Sequence, residues 1–274
     1  MKSGATIWSY LLLCSFLISA CSDLYKKSNR TILDDPCEHF TCLQGAVVRG
    51  DTSQKKLSLV FTGGDFADGG IHIQNVLKFK NIKASFFFTG DFYRNPEFRS
   101  VIEKLKGDGH YLGAHSDKHL LYCDWNLRDS LLVTKDEFLM DLKANYREME
   151  QFGITAAEAQ FFLPPYEWYN DSISHWTKQA GFQLVNFTQG TRSNADYTTP
   201  EMPSYRTSDE IFQSIINYES YSESGLNGFI LLIHIGTAPE RTDKFYNRLD
   251  ELIDLLSTDG YEFSRIDELL TVQQ

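Results

Sequence analysis

An α/β fold on a parallel sheet that curls toward a barrel follows from two observations. From Leu57 onward, short apolar runs of strand character alternate with amphipathic stretches of helical spacing. Asp65, His115, Pro164 and His234 each stand at the C-terminal end of one of those runs, and in a (β/α) barrel such ends converge on the face where the chemistry sits. The length of 274 residues fits one large α/β domain or two small ones.

Residues 57–61 form the first predicted strand, ended by Thr62-Gly63-Gly64-Asp65. Ile73, Val76, Leu77 and Phe79 recur at helical spacing and predict a helix over residues 71–81. The run Ala84-Ser85-Phe86-Phe87-Phe88 is a buried strand closed by Gly90, and residues 98–106 are helical. Tyr111-Leu112-Gly113-Ala114 leads as a strand straight into His115. Residues 134–152 make the longest amphipathic helix, with Gly153 as its stop. Residues 161–163 form a strand that halts at Pro164-Pro165, residues 173–180 a helix, and residues 183–187 another strand. A helix over residues 208–218 takes Ser208 or Thr207 as its N-cap. The most apolar strand, residues 229–233, ends in His234, and a helix over 245–256 precedes a last strand near 261–266.

The first twenty residues predict export rather than fold. Lys2, the apolar stretch 7–18 and the small residues before Cys21 match a signal peptide, too short for a comfortable membrane span. Cys21 follows those small residues as in a bacterial lipobox, which predicts a lipid anchor on Cys21 and a place in the bacterial cell envelope, facing periplasm or exterior. A cleaved secretory signal and an uncleaved anchor are the alternatives. Residues 21–55 are polar and predict a tether and N-terminal extension outside the core, leaving 56–274 as the main domain. Cys37 and Cys42 suit a local disulfide in an oxidising compartment, with a zinc site through His39 as the rival. Cys123 is expected as a buried thiol.

The formal charge is −11, and losing residues 1–20 removes Lys2 and no acid, which makes it −12. An acidic surface repels a phosphate backbone and argues against nucleic acid as a partner.

His115-Ser116-Asp117-Lys118-His119 carries two histidines four residues apart, which one helical turn would bring to the same face and onto one divalent metal. Asp65 would complete a two-histidine, one-carboxylate set with open positions, suited to Zn²⁺ or another divalent ion. Such an ion acidifies bound water and polarises a carbonyl. His234, on a separate strand end, suits a general acid; a structural histidine is the plain alternative.

The ordered set Phe61-Thr62-Gly63-Gly64-Asp65, His115-Ser116-x-x-His119, Leu163-Pro164-Pro165-Tyr166 and Leu232-Ile233-His234 resembles the polysaccharide deacetylases, the NodB-homology group or carbohydrate esterase family 4. Lys83-Ala84-Ser85-Phe86-Phe87 and Asp259-Gly260-Tyr261-Glu262-Phe263 add to the likeness, which spans about residues 56–270. The resemblance implies a deformed (β/α)7 barrel, TIM-barrel-like, and metal-dependent removal of N- or O-acetyl groups from an acetylated polysaccharide. It implies that Asp65, His115 and His119 hold the metal, most simply Zn²⁺. It also implies that His234 protonates the leaving group and that the Tyr166 N–H, beside a cleft wall of Pro165-Tyr166, helps hold the oxyanion.

Two departures stand out. Gly64 occupies the place of the family's base aspartate, and Leu163 that of the arginine that holds it. An arginine without its carboxylate would be a costly unpaired charge, so the two losses fit one event. Glu167, Asp68 and Asp196 are the carboxylates that could take over; Glu167 is favoured, while Asp196 more resembles the family's element that orients the histidine acid. A solvated loop charge is the alternative for each. The aromatic run Tyr122 to Trp125, with Tyr166, Trp168 and Tyr169, could stack on sugar rings, Trp125 and Trp168 chief among them; core packing is the alternative. His72, His110 and His175 are expected to be ordinary surface, loop or helix residues. Two functions remain open: a deacetylase, or a catalytically impaired carbohydrate-binding protein on the same scaffold. A related C–N hydrolase acting on another group is a third.

Overall fold

The computed structural model describes residues 36–272. The predicted signal peptide and Cys21 lie outside the described residues. The elements are β1 (Thr41–Leu43), β2 (Ala46–Arg49), β3 (Lys56–Gly63), α1 (Gly70–Phe79), β4 (Ser85–Phe88), α2 (Gly90–Arg94), α3 (Arg99–Gly107), β5 (Tyr111–Ala114), α4 (Lys135–Glu150), β6 (Phe161–Phe162), α5 (Asp171–Gln179), β7 (Gln183–Leu184), α6 (Ser208–Tyr221), β8 (Phe229–His234), α7 (Leu249–Thr258), β9 (Glu262–Phe263) and α8 (Ile266–Leu269).

Strands β3 to β9 build one seven-stranded parallel sheet in the order β7-β6-β5-β4-β3-β8, with β9 beside the start of β3. Leu57–Gly63 and Phe229–Ile233 are buried throughout, as a parallel sheet covered on both faces requires. This is the deformed (β/α)7 barrel that the resemblance implies. Thr134 caps α4 and Thr207 caps α6, each in a capping box with the glutamate three residues on.

The seam of the barrel lies between β7 and β8, and the N-terminal hairpin fills it. Val47 of β2 bridges Val185, Asn186 N–H donates to the Val47 carbonyl at 2.9 Å, and Gly50 N–H donates to the Gly228 carbonyl at 2.7 Å. The Thr188 hydroxyl donates to the Val48 carbonyl and accepts from Ile230 N–H at 2.9 Å. Residues 36–50 therefore belong to the barrel wall, not to an extension outside the core, and Ala46 and Val47 are buried. The polar texture of the segment misled because β1 has no buried residue and β2 only two, Ala46 and Val47. Cys37 and Cys42 form a disulfide at the start of this hairpin, in place of a zinc site through His39.

Candidate active site

All the loops that follow strands of a parallel sheet emerge on one face. Five of them, after β3, β5, β6, β7 and β8, carry the residues picked out above.

The histidine loop is turned by left-handed backbone and not by a helical turn. Ser116 has φ 70° and His119 φ 53°, and the two rings stand 5.1 Å apart in an edge arrangement. Such φ values cost a non-glycine residue energy and persist where neighbours enforce them. Here α4 does so. His115 N–H donates to Asn145 Oδ1 at 2.8 Å, and Asp117 and Lys118 N–H both donate to Asp141 Oδ1. Tyr122, fully buried, donates its hydroxyl to Asp141 Oδ2.

His115 is buried, and its Nδ1 lies 2.9 Å from the Leu163 carbonyl. A carbonyl only accepts, so Nδ1 carries the proton and Nε2 keeps its lone pair. Burial holds the His115 pKa well below the ordinary value, with His119 adding to the effect. Burial also brings His119 down to about 4; His234 pushes the same way and Asp65 opposes. Both imidazoles are neutral at pH 7, as metal ligands must be. Asp65 stands just past β3 with an exposed side chain. Among the described residues no three histidine, cysteine or carboxylate side chains converge closely enough to hold a metal ion. The histidine pair thus fits the donor chemistry of a divalent ion, while Asp65 contributes field to His119 without closing the set.

The acid half is built more tightly. Asp196, 1 % exposed, accepts from His234 N–H through Oδ2 at 2.8 Å and pairs through Oδ1 with His234 Nδ1 at 2.6 Å. Burial works against a charged His234, but Asp196 overcomes it and Glu167 helps, so the pKa stands above the ordinary value. The dyad leaves Nε2 as the proton-bearing atom available to a substrate.

Glu167 is half-buried, on a turn where both Tyr166 (φ 58°) and Glu167 (φ 53°) are left-handed. Asn186 Nδ2 braces that turn by donating to the Glu167 carbonyl at 2.8 Å. Desolvation pushes the Glu167 carboxyl up to about 7, with His234 pulling it down and Asp196 pushing it further up. Its charge partners place it with the acid dyad. By contrast, Asp68 accepts from Thr237 N–H and Tyr246 hydroxyl and pairs with Lys244 at 3.0 Å. It is a brace between loops and not a substitute base.

Gly64 and Leu163 differ in what they leave behind. A Cβ at Gly64 would meet only Thr89 Cγ2, at 3.7 Å, so a side chain has room there. Leu163 is fully buried, and the site uses only its carbonyl.

An aromatic strip runs outward from the histidines: His119 to Tyr166 4.3 Å, Tyr166 to Trp125 5.6 Å, Trp125 to Trp168 5.7 Å between ring centroids. Trp125 and Tyr166 are exposed, at 53 % and 44 %. Trp168 carries the Arg128 guanidinium over its ring at 4.3 Å and donates to the Asp124 carbonyl, so it backs the platform instead of forming it. Tyr122 and Tyr169 are core residues, Pro165 is buried, and Cys123 is a buried free thiol. His110 is buried too and accepts from Ala84 N–H. Asp141, Asn145, Asn186 and Arg241 were not legible in advance, because a buried polar residue on a helix or loop looks in sequence like a solvated one.

A family model described as polysaccharide deacetylase matches residues 49–185. The chain is 23% identical over 222 residues to the peptidoglycan-N-acetylmuramic acid deacetylase PdaA of Bacillus subtilis, covering 81% of this chain and 73% of that protein. It is 25% identical to a peptidoglycan-N-acetylglucosamine deacetylase of Bacillus cereus, covering 80% of this chain and 89% of the relative. Among solved structures, a CE4 family pseudoenzyme from Bacillus anthracis superposes with a TM-score of 0.65 at 19% identity, over 84% of this chain and 70% of that one.

Proposed function

Because the chain belongs to the polysaccharide deacetylase family, we propose that it is a hydrolase removing acetyl groups from an acetylated glycan of the cell envelope. The observation that carries the reading is the buried Asp196–His234 dyad on the same barrel face as the neutral His115–His119 pair. Asp65, His115 and His119 would hold a divalent metal, Zn²⁺ in this reading, which supplies Lewis-acid polarisation of the acetyl carbonyl and acidifies water. His234 Nε2 gives its proton to the leaving nitrogen or oxygen, and Asp196 fixes the imidazole that does so. Glu167 takes the proton of the attacking water; a carboxyl near 7 is poised for that work at neutral pH. The Tyr166 N–H faces the developing oxyanion, and Tyr166 and Trp125, backed by Trp168 and Pro165, receive the sugar rings. We assign the chain to the bacterial envelope through a lipid anchor on Cys21. The test is acetate release from peptidoglycan, chitin oligomers and acetylated xylan with Zn²⁺ present; release from none of them by folded protein overturns the reading.

Gly64 and Leu163 favour a second reading, a carbohydrate-binding protein without turnover. The pseudoenzyme among the similar structures lends it support. Binding of those glycans with no acetate release under any metal distinguishes it.

A further inference from the structure

Arg241 is fully buried, heads the largest such side chains of the described residues, and has no place in the reaction above. It lies seven residues beyond His234 on the loop after β8, where a turn (Arg241 N–H to the Ala238 carbonyl, 3.0 Å) sends its side chain inward. Its Nη1 donates to the carbonyls of Thr198 at 2.7 Å and Arg206 at 3.0 Å, and its Nη2 reaches Ser208 Oγ at 3.5 Å. Thr198 and Arg206 belong to the loop after β7, the loop that carries Asp196. The guanidinium lies 5.3 Å from the Tyr205 ring centroid. Its Nε has no partner, and no carboxylate pairs with it among the described residues.

A buried, unpaired guanidinium is strongly unfavourable, and neutral carbonyls repay little of that cost. An apolar side chain of similar volume would fill the space more cheaply. What an apolar side chain cannot do is hold two carbonyls of a neighbouring loop on Nη1 while Nη2 reaches the Ser208 hydroxyl. The two loops joined in this way are the ones that bear the two members of the acid dyad.

We propose that Arg241 is a positioning residue for the Asp196–His234 dyad, clasping the Asp196 loop from the His234 loop. This rests on the deacetylase reading only for its catalytic consequence. No bond to Arg241 forms or breaks; the proton that leaves His234 Nε2 goes to the leaving atom of the sugar as the acyl bond breaks. Asp196 and Tyr197 touch the His234 ring, and Glu167, Arg241, His115 and His119 act on it by charge. Of these, Arg241 opposes protonation of His234 where Asp196 and Glu167 favour it.

The experiment is imidazole NMR of His234 in the full-length protein, with Arg241→Met and Arg241→Lys, alongside kcat against pH. Arg241→Met is expected to weaken the low-field Nδ1–H resonance of the His234 bond to Asp196. It should lower kcat about tenfold or more with KM nearly unchanged, and add little in an Asp196→Asn background. Arg241→Lys keeps the charge and loses the planar guanidinium, so the Nδ1–H resonance still shifts. It decides the matter if the methionine variant does not fold. An unshifted resonance in Arg241→Lys, or losses that multiply with Asp196→Asn, overturn the proposal. If the wild type releases no acetate, the resonance still decides the positioning role, and only the deacetylase reading falls.

Discussion

Replacing Glu167 by glutamine should make the protein more stable and less active, in a pH window set by the site itself. The Glu167 carboxyl is pushed from its ordinary 4.5 up to about 7, first by desolvation. Below 4.5 it is neutral in both the folded and the unfolded chain, so ionisation costs folding nothing. Above 4.5 the unfolded chain ionises while the folded one holds its proton, and stability falls until the pH passes about 7. The difference amounts to roughly 3 kcal/mol at pH 8, an upper figure because the half-buried side chain is partly screened. Glutamine keeps the shape and never ionises. For a domain of this size that corresponds to a Tm gain of up to about 6–12 °C at pH 8 and none near pH 4.5.

The same substitution removes the proposed base, so kcat should fall by about 10²–10⁴. The His234 limb should move to lower pH, since Glu167 helps keep that imidazole charged. Thermal denaturation of both proteins from pH 4.5 to 8.5, with acetate release in parallel, reads all three. Equal Tm values at pH 8 would mean that Glu167 is a solvated loop charge, and the base assignment would go with it.

Three further outcomes follow from the same geometry. Gly64→Asp should leave Tm nearly unchanged, because a Cβ there meets only Thr89 at 3.7 Å; Leu163→Arg alone should cost about 3–5 kcal/mol for an unpaired charge in a fully buried place. The double variant should melt above Leu163→Arg alone, and additive losses would show that the two positions do not meet. Calorimetric titration of chelator-treated protein should find one Zn²⁺ site, weakened at least about 100-fold in His119→Ala; equal affinity in that variant removes His119 from the ligand set. Trp125→Ala should raise KM for a glycan oligomer about three- to tenfold at constant kcat, the worth of one stacked ring, and an unchanged KM would make the exposed tryptophan incidental.

The strands were legible because a sheet covered on both faces must be written as apolar runs. Residues 111–114 matched to the residue, and 57–61 and 229–233 came short only at their ends. Helix α2 was not legible: five residues, Gly90 to Arg94, give too few turns for a period to show. The β1–β2 hairpin was missed because its inward residues are few and its hydrogen bonds go to the barrel seam, a tertiary partner that no local pattern announces. In the site, strand ends pointed to the face that carries His115 and His234, while Asp196 beside His234 came from the family resemblance alone. The sequence suggested one helical turn for the two histidines, and the chain uses left-handed backbone at Ser116 and His119 instead. Spacing of four residues is compatible with both, and only the anchoring by Asp141 and Asn145 decides between them.

Gly64 and Leu163, where the family resemblance implies an aspartate and an arginine, invite the view that this chain does no chemistry. The energetic state of the rest of the site argues otherwise. The Leu163 carbonyl still fixes the His115 tautomer, a role that any side chain at that position permits. Asp196 remains buried against His234, and the Arg241 guanidinium remains buried behind their loops. Tyr166 and Glu167 remain in left-handed conformations that hold a carboxyl beside the dyad. Each of these features is costly to folding, and relaxing any of them would stabilise a protein that only binds glycans. The aromatic strip of Tyr166 and Trp125 would serve such a binder without them. Retention of the expensive half, together with a carboxyl held near neutrality four residues beyond Leu163, fits relocation of the base better than its loss.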